Sequence, residues 1–438
     1  MSATRREFLA GGAAAAAILG LHAAAKASPQ PRDASPVTWT EDPGPPGLPG
    51  NDYTPVITPD GAALSFEVKG GIKVFHLVAE PVRHEFASGL SAECWGYNGR
   101  VHGPTLEAVE GDRVRIYVTN RLPGPTTVHW HGMYVPSGMD GVGGLSQRPI
   151  DPGETFKYEF TLRQHGTFMY HSHHDEMVQM AMGLMGLFVI HPRRPQTSSP
   201  DRDFAYLLSE WAIRPGMRRP DPNEMTDFNV LTFNAKIFPA TSPMVARLGD
   251  RVRIRIGNLS AMDHHPIHVH GTSFLVTETD GGVIPEAGRW PETTVLVPTG
   301  STRTVELVAD NPGDWAVHCH MTHHIMTQMG HGIPNLIGVD PTAFDTTVER
   351  FVPEFGRLKE RAMTADPAHP DESIPPNSTP MMGGLGPNGY ITMGGMFTIL
   401  KIRENLASYD DPGRYRPPPG TQATRASREE LEKDGIRG

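Results

Sequence analysis

Glu110-Gly-Asp-Arg-Val-Arg-Ile-Tyr-Val-Thr-Asn120 returns later in the chain as Leu248-Gly-Asp-Arg-Val-Arg-Ile-Arg-Ile-Gly-Asn258. Each copy alternates apolar and polar residues, the period of a strand with one buried face. Each copy also runs on into a His-x-His-Gly. Further along, Gly166-Thr-Phe-Met-Tyr-His-Ser-His173 aligns with Gly313-Asp-Trp-Ala-Val-His-Cys-His320. The chain therefore carries one module twice. No long amphipathic helix separates the alternating runs, so each module reads as an antiparallel β-sandwich and the fold class as all-β. Clusters of Pro, Ser and Thr near 192–200 and near Asp340 mark the module boundaries. These place the first domain at 53–195, after a linker at 28–52, and the second at 203–345.

Composition agrees with many short strands and tight turns: 47 glycines and 42 prolines in 438 residues. A net charge of −10 argues against a nucleic-acid partner. The two cysteines, Cys94 and Cys319, do not make a disulfide framework; Cys94 reads as a small buried apolar residue. Thr4-Arg5-Arg6-Glu7-Phe8-Leu9, followed by an alanine-rich run and Ala25-Lys26-Ala27, reads as a twin-arginine signal over 1–27, which predicts export to the periplasm or beyond. The run from Ala10 to Ala25 is too short and too weakly apolar for a stable membrane span.

Four histidine pairs punctuate the repeat: His129-Trp-His131, His171-Ser-His173, His268-Val-His270 and His318-Cys-His320. On a strand, residues i and i+2 share a face and i+1 points away. His318 and His320 thus serve one metal site while Cys319 serves another on the opposite side. The copies differ at informative positions. Ser172 stands where the second copy has Cys319, Thr126 where it has His265, and Met177 where it has His324. One thiolate, two imidazoles and a weak axial thioether define the blue, type 1 copper site. Here the set is His265, Cys319, His324 and Met329, and only the second domain holds it. Zinc sites, by contrast, are satisfied by four ligands in tetrahedral geometry, which fits neither the ligand count nor the axial methionine.

His-Trp-His-Gly, Tyr-His-Ser-His, His265-Pro-Ile-His-Val-His-Gly271 and His318-Cys-His-x3-His324-x4-Met329, in this order, resemble the four motifs of the multicopper oxidases. The resemblance covers roughly residues 60 to 340. It implies two tandem cupredoxin-like Greek-key domains and four coppers per chain. His129 and His268 would hold the type 2 copper; His131, His171, His173, His270, His318 and His320 would hold the type 3 pair. In that family, donors lose single electrons to the type 1 copper, and the trinuclear cluster reduces dioxygen to water. Met139-Asp140-Gly141 resembles the family's Asp-Gly step after the first motif, which makes Asp140 the expected proton relay. His324 is the expected point of electron transfer from the donor, through an exposed ring edge.

With two domains instead of three, the chain resembles the small-laccase type. The expected assembly is a homotrimer whose clusters lie between subunits. The expected donors are phenols or aromatic amines, with dioxygen as acceptor. A metal oxidase for Cu(I) or Mn(II) is the alternative; a copper nitrite reductase and a non-catalytic electron-transfer or copper-binding protein are weaker ones.

Methionines, 20 in all, cluster at Met177, Met180, Met182 and Met185, at Met321, Met326 and Met329, and at Met381, Met382, Met393 and Met396. The first group reads as packing. For the last group, packing and cuprous-ion binding both remain open. The segment 346–438 reads as a Met-, Gly- and Pro-rich extension. In it, Met396-Phe-Thr-Ile-Leu-Lys-Ile402 would form one strand at a sheet edge or on a neighbouring subunit, and the end beyond Asn405 would be disordered.

Overall fold

Arg113–Asn120 buries Val114, Ile116, Val118 and Asn120 and leaves the alternate residues half-buried, as its alternating sequence requires. The computed structural model describes residues 44–194, 199–214, 216–326, 349–350, 377 and 383–437. The signal segment at 1–27, Met329, Met381 and Met382 lie outside the described residues.

Two sandwiches follow one another along the chain. In the first, one sheet runs Glu67–Lys69, Ile72–Ala87, Arg113–Asn120, Thr155–Thr161, with Leu90–Tyr97 folded onto Ile72–Ala87. The facing sheet is built from β1 (Leu106–Val109), β2 (His129–His131), β3 (Gly166–His171) and β4 (Met185–His191), in the spatial order β1-β4-β3-β2. Phe75, Leu77, Val114, Ile116 and Phe160 of one sheet meet Trp130, Phe168, Tyr170 and Phe188 of the other in a single apolar core. Each large side chain removed from water in this way contributes about 1.5–3 kcal/mol.

The second sandwich repeats the plan. Its outer sheet runs Val230–Phe233, Arg202–Trp211, Arg251–Asn258, Ser301–Val308, Phe274–Thr279, Gly282–Val283, with Trp290–Glu292 on Phe274–Thr279. Its inner sheet consists of β5 (Met244–Arg247), β6 (His265–Val269), β7 (Thr294–Val297), β8 (Gly313–Cys319) and β9 (Phe397–Arg403), in the order β5-β9-β8-β6-β7. In both inner sheets the first strand runs parallel to the last, β1 to β4 and β5 to β9. The molecule is thus two tandem cupredoxin-like Greek-key sandwiches: the repeat predicts the two sandwiches, and the family resemblance implies their cupredoxin-like form.

β9 corrects one expectation. It is not an edge strand but lies inside the sheet, between β5 and β8, and six of its seven residues are buried. The second sandwich is therefore closed by residues beyond 345. Beyond Asn405, where the sequence reads as disordered, Arg202 and Arg247 stack on the Tyr409 ring and Arg403 on Tyr415. The chain then ends in a short helix, α2 (Arg428–Lys433), started by a Ser427–Glu430 capping box.

The sandwiches are joined by Met169, Leu187 and Val189 packing on Ala205, Leu207 and Leu259. At this junction Arg255, 1 % exposed, holds both oxygens of Asp203 at 2.8 and 2.9 Å and donates to Thr167 Oγ1 of the first sandwich at 2.9 Å. Cys94 is buried in a second junctional cluster with Trp211 and Ile213, and both cysteines are free. Among the described residues, no helix is long and apolar enough to cross a membrane.

Candidate copper centres

β8 pairs with β6 so that Ile267 lies opposite Cys319 and His268 opposite His318. Directly opposed residues of an antiparallel pair share a face, and neighbours along a strand do not. The Cys319 face of this sheet therefore turns into the core, together with Val269, Val317 and Ile267. The other face presents His268, His270, His318 and His320.

On the core face, Cys319 Sγ lies 3.4 Å from His324 Nδ1 and 3.7 Å from His265 Nδ1, and the two nitrogens are 3.1 Å apart. All three residues are buried. His265 Nε2 is held by Ser260 Oγ at 2.7 Å, and His324 Nε2 faces Asp263 Oδ2 at 3.3 Å. An outer hydrogen bond thus orients His265, as partners orient metal-binding imidazoles, while His324 Nε2 only faces its carboxylate; both Nδ1 atoms converge on the sulfur. Burial pushes His265 down to about 3 and the Cys319 thiol up to about 12. A neutral imidazole is ready to ligate, and a metal ion held here would displace the proton of the buried thiol. Three converging soft and borderline donors fit copper, which supplies one-electron redox chemistry when bound.

His324 differs from expectation. Its side chain is 1 % exposed, because the turn Thr322–Ile325 tucks it under Asp263 and against the His323 ring. The ring edge expected to meet a donor is thus covered. Asp263 also neighbours Glu210, a buried carboxyl whose burial raises it and whose Oε1 accepts from Met262 N–H at 2.6 Å. Met329 lies outside the described residues.

On the other face, His268 Nδ1 bonds Thr293 O at 2.7 Å and His318 Nδ1 bonds Cys319 O at 2.8 Å. His270 Nε2 and His318 Nε2 then face each other at 3.1 Å. The His318 and His320 rings stack 5.6 Å apart.

The first sandwich builds the matching quartet. His129 Nδ1 bonds the Asp140 carbonyl at 2.8 Å, His171 Nδ1 bonds Ser172 O at 2.8 Å, and His131 Nε2 bonds Gly300 O of the second sandwich at 2.8 Å. The nitrogens left over, His131 Nδ1 and His171 Nε2, are 3.2 Å apart. With His129 beside them, these two residues form a donor group that would hold a metal ion. His173 completes the quartet, with its ring 5.4 Å from that of His129. The Asp140 carboxylate lies 3.4 Å from His129 Nδ1. Gly141 next to it has φ +84°, and a Cβ there would meet Val128 O at 1.8 Å, so the Asp-Gly step is required by the close approach. Ring contacts join the four histidines within each quartet; among the described residues none joins one quartet to the other.

The first sandwich has no thiolate site, and Gln179 of α1 (Glu176–Ala181) shows what replaces it. Its Oε1 accepts from Thr126 Oγ1 at 2.7 Å and Ser172 Oγ at 2.5 Å, while Nε2 donates to Pro125 O at 2.7 Å. A buried amide joins the two positions that correspond to His265 and Cys319. Gln179, Ser260, Asp263 and Glu210 are all absent from the sequence reading, because no motif spacing marks them. Of the methionines expected to pack, Met182 and Met185 are buried, while Met177 is exposed.

A tandem pair of cupredoxin sandwiches, with a centre of one cysteine and two histidines in the second and a histidine quartet in each, defines a copper protein of multinuclear type. Residues 79–195 and 214–336 both match multicopper oxidase domains, and the chain belongs to the multicopper oxidase family. It is similar to copper resistance protein A of Escherichia coli, 42 % identical over 243 residues, covering 44 % of this chain and 40 % of that protein. It is also similar to laccase-2 of Botryotinia fuckeliana, 28 % identical over 305 residues, 60 % of this chain and 51 % of that one. The chain thus spans about half, or less, of the length of these relatives. The blue copper oxidase from Nitrosomonas europaea superposes with a TM-score of 0.55 at 26 % identity, covering 75 % of this chain and 85 % of that one.

Proposed function

We propose that this protein is a copper-dependent oxidase that takes single electrons from a reducing substrate and delivers them to dioxygen, which is reduced to water. The observation that carries the reading is the strand β8. Cys319 faces a three-donor centre on one side, and His318, its covalent neighbour, faces a histidine quartet on the other. Electrons taken up at the first site therefore have a route of a few bonds to the second.

In this reading His265, Cys319 and His324 hold the type 1 copper with an axial methionine, for which motif spacing nominates Met329. His129 and His268 hold the type 2 copper, and His131, His171, His173, His270, His318 and His320 the type 3 pair, four coppers per chain. Asp140, beside His129, passes protons toward the dioxygen site. The twin-arginine segment directs the protein to the periplasm or outside.

Each quartet is half of a trinuclear site, and the separation of the two within one chain supports a homotrimer with clusters between subunits. Co-expression tests this. A His171→Ala chain and a His318→Ala chain, each inactive alone, regain dioxygen uptake when mixed in one trimer, because one junction is then intact. Absence of complementation, or a monomer in ultracentrifugation, contradicts the shared cluster.

The favoured donors are phenols and aromatic amines. A second reading, oxidation of Cu(I), draws support from Met262, 54 % exposed and adjacent to the Asp263 that covers His324. A thioether beside a carboxylate suits a cuprous ion, and one relative is named for copper resistance. Steady-state turnover on a phenol, Cu(I) and Mn(II) separates the readings; rapid Cu(I) turnover without phenol oxidation excludes the first.

A further inference from the structure

The two sandwiches share one plan, so each residue around the cysteine–histidine centre has a counterpart in the sandwich that lacks it. In the first, β3 pairs with β4 so that His171 lies opposite Met185, and Ser172 N–H donates to Leu184 O at 3.1 Å. In the second, β8 pairs with β9 so that His318 lies opposite Phe397, and Cys319 N–H donates to Met396 O at 3.1 Å. Cys319 corresponds to Ser172, and Met396 corresponds to Leu184. Yet Leu184 follows Ser172 by 12 positions, whereas Met396 follows Cys319 by 77.

We infer that Met396, not Met329, supplies the axial thioether of the type 1 copper, and that the long segment between Met326 and Met393 is an insertion into the ligand loop. This rests on the copper-oxidase reading above. Three observations support it. Met396 continues the register that sets Phe397 opposite His318, and so stands opposite Cys319; opposed side chains share a face, with Cβ atoms about 5 Å apart. Its side chain is 0 % exposed and belongs to the same core as Cys319.

The backbone on either side of Met396 is bonded to the His324 turn itself. Met396 N–H donates to His324 O at 3.0 Å and Gly394 N–H to Ile325 O at 2.6 Å. Gly395, with φ +53°, sits so close that a Cβ would lie 2.6 Å from His324 O. The turn carrying the second imidazole and the strand end carrying the methionine are thus one local unit, however long the chain between them.

Third, residue type follows the site. The sandwich with cysteine has methionine at this position; the sandwich with serine has leucine, which has no donor atom. A thioether on the core face, opposite the thiolate, is the soft, weak fourth donor that the trigonal set lacks.

The test uses purified, copper-loaded protein of the full chain, its visible and electron paramagnetic resonance spectra, and the type 1 reduction potential. Met396→Leu, close to volume-conserving, is expected to raise the potential, since a donor to the oxidised metal is lost. Met396→Gln is expected to lower it and change the copper hyperfine splitting. Met329→Leu is expected to leave spectra and potential as in the parent. Unchanged thermal unfolding of the metal-free Met396→Leu protein shows that the spectral change comes from the ligand and not from the core. A shift in Met329→Leu with none in the Met396 variants, or no shift in either, overturns the assignment. A parent protein with no blue band at any copper loading defeats the copper-oxidase reading instead.

Discussion

Cys319 and His318 are consecutive residues whose side chains leave opposite faces of one strand, the thiol toward His324 Nδ1 at 3.4 Å and the imidazole Nε2 toward His270 Nε2 at 3.1 Å. The arrangement follows from strand geometry alone. In the proposed function, this makes a single peptide linkage the junction between a site that accepts electrons and one that spends them.

The Asp140 side chain and backbone have separable roles. The carbonyl holds His129 at 2.8 Å, while the carboxylate, 3.4 Å from the same nitrogen, is the group proposed to carry protons. Asp140→Asn is expected to keep the copper content of the parent and to lower dioxygen turnover by roughly 10²–10⁴-fold, the range typical of a lost general acid. Copper analysis beside oxygen-electrode kinetics checks both halves; full activity in the variant removes Asp140 from the proton route.

Arg255 ties the sandwiches together through Asp203, Thr167 and, at 3.4 Å, Glu278. Arg255→Met leaves buried Glu278 without its cation and Asp203 with Arg253 alone, at 3.5 Å. A loss of about 3–5 kcal/mol in unfolding free energy is expected, the magnitude seen when one partner of a buried pair is removed. Urea unfolding of the metal-free protein measures it.

Two histidines outside the metal sites, His102 buried and His84 half-buried, give a pH dependence. Burial lowers His84 to about 4 and His102 to about 3. Unfolded, each titrates near 6.5. Below that pH the unfolded chain binds protons that the folded chain refuses, so the unfolded state gains. The contribution is complete above about pH 6.5 and is lost as pH falls toward 4 for His84 and 3 for His102, at about 1.4 kcal/mol per unit for each. His102→Phe, which keeps an aromatic ring against Trp211, is expected to flatten the slope for metal-free protein. An unchanged slope from pH 6.5 to 4 contradicts the assignment.

Gln179→Leu removes the amide oxygen that the buried Thr126 and Ser172 hydroxyls share, leaving Ser172 Oγ its bond to His174 O at 3.1 Å and Thr126 Oγ1 only contacts of 3.4 Å. A destabilisation of about 1–3 kcal/mol is expected, the cost of unpaired buried polar groups, with no change in copper content.

Much of this was legible in the sequence for a physical reason. Alternation marks strands, and i, i+2 histidines must share a strand face, so the pairs at 129–131, 171–173, 268–270 and 318–320 declare their sites before folding is known. The identical Gly-Asp-Arg-Val-Arg-Ile stretches disclose the duplication. What escaped depends on chain distant in sequence. Phe397–Arg403 is an inner strand, yet nothing in its composition ties it to a partner more than seventy residues earlier. The burial of His324 comes from Asp263 and a tight turn, not from its own neighbours in a motif. Gln179 joins Thr126, Ser172 and Pro125 through three hydrogen bonds that only the fold assembles.

Cys319→Ser is the most direct test of the central claim that electrons pass from the Cys319 centre to the histidine quartets. Copper content, blue absorption and dioxygen uptake with a one-electron donor are measured on the parent and the variant together. The account predicts four coppers, a blue band and uptake in the parent. In the variant it predicts loss of the blue band and of substrate-driven uptake, with much of the imidazole-held copper retained. Sustained donor oxidation by the Cys319→Ser protein would contradict it.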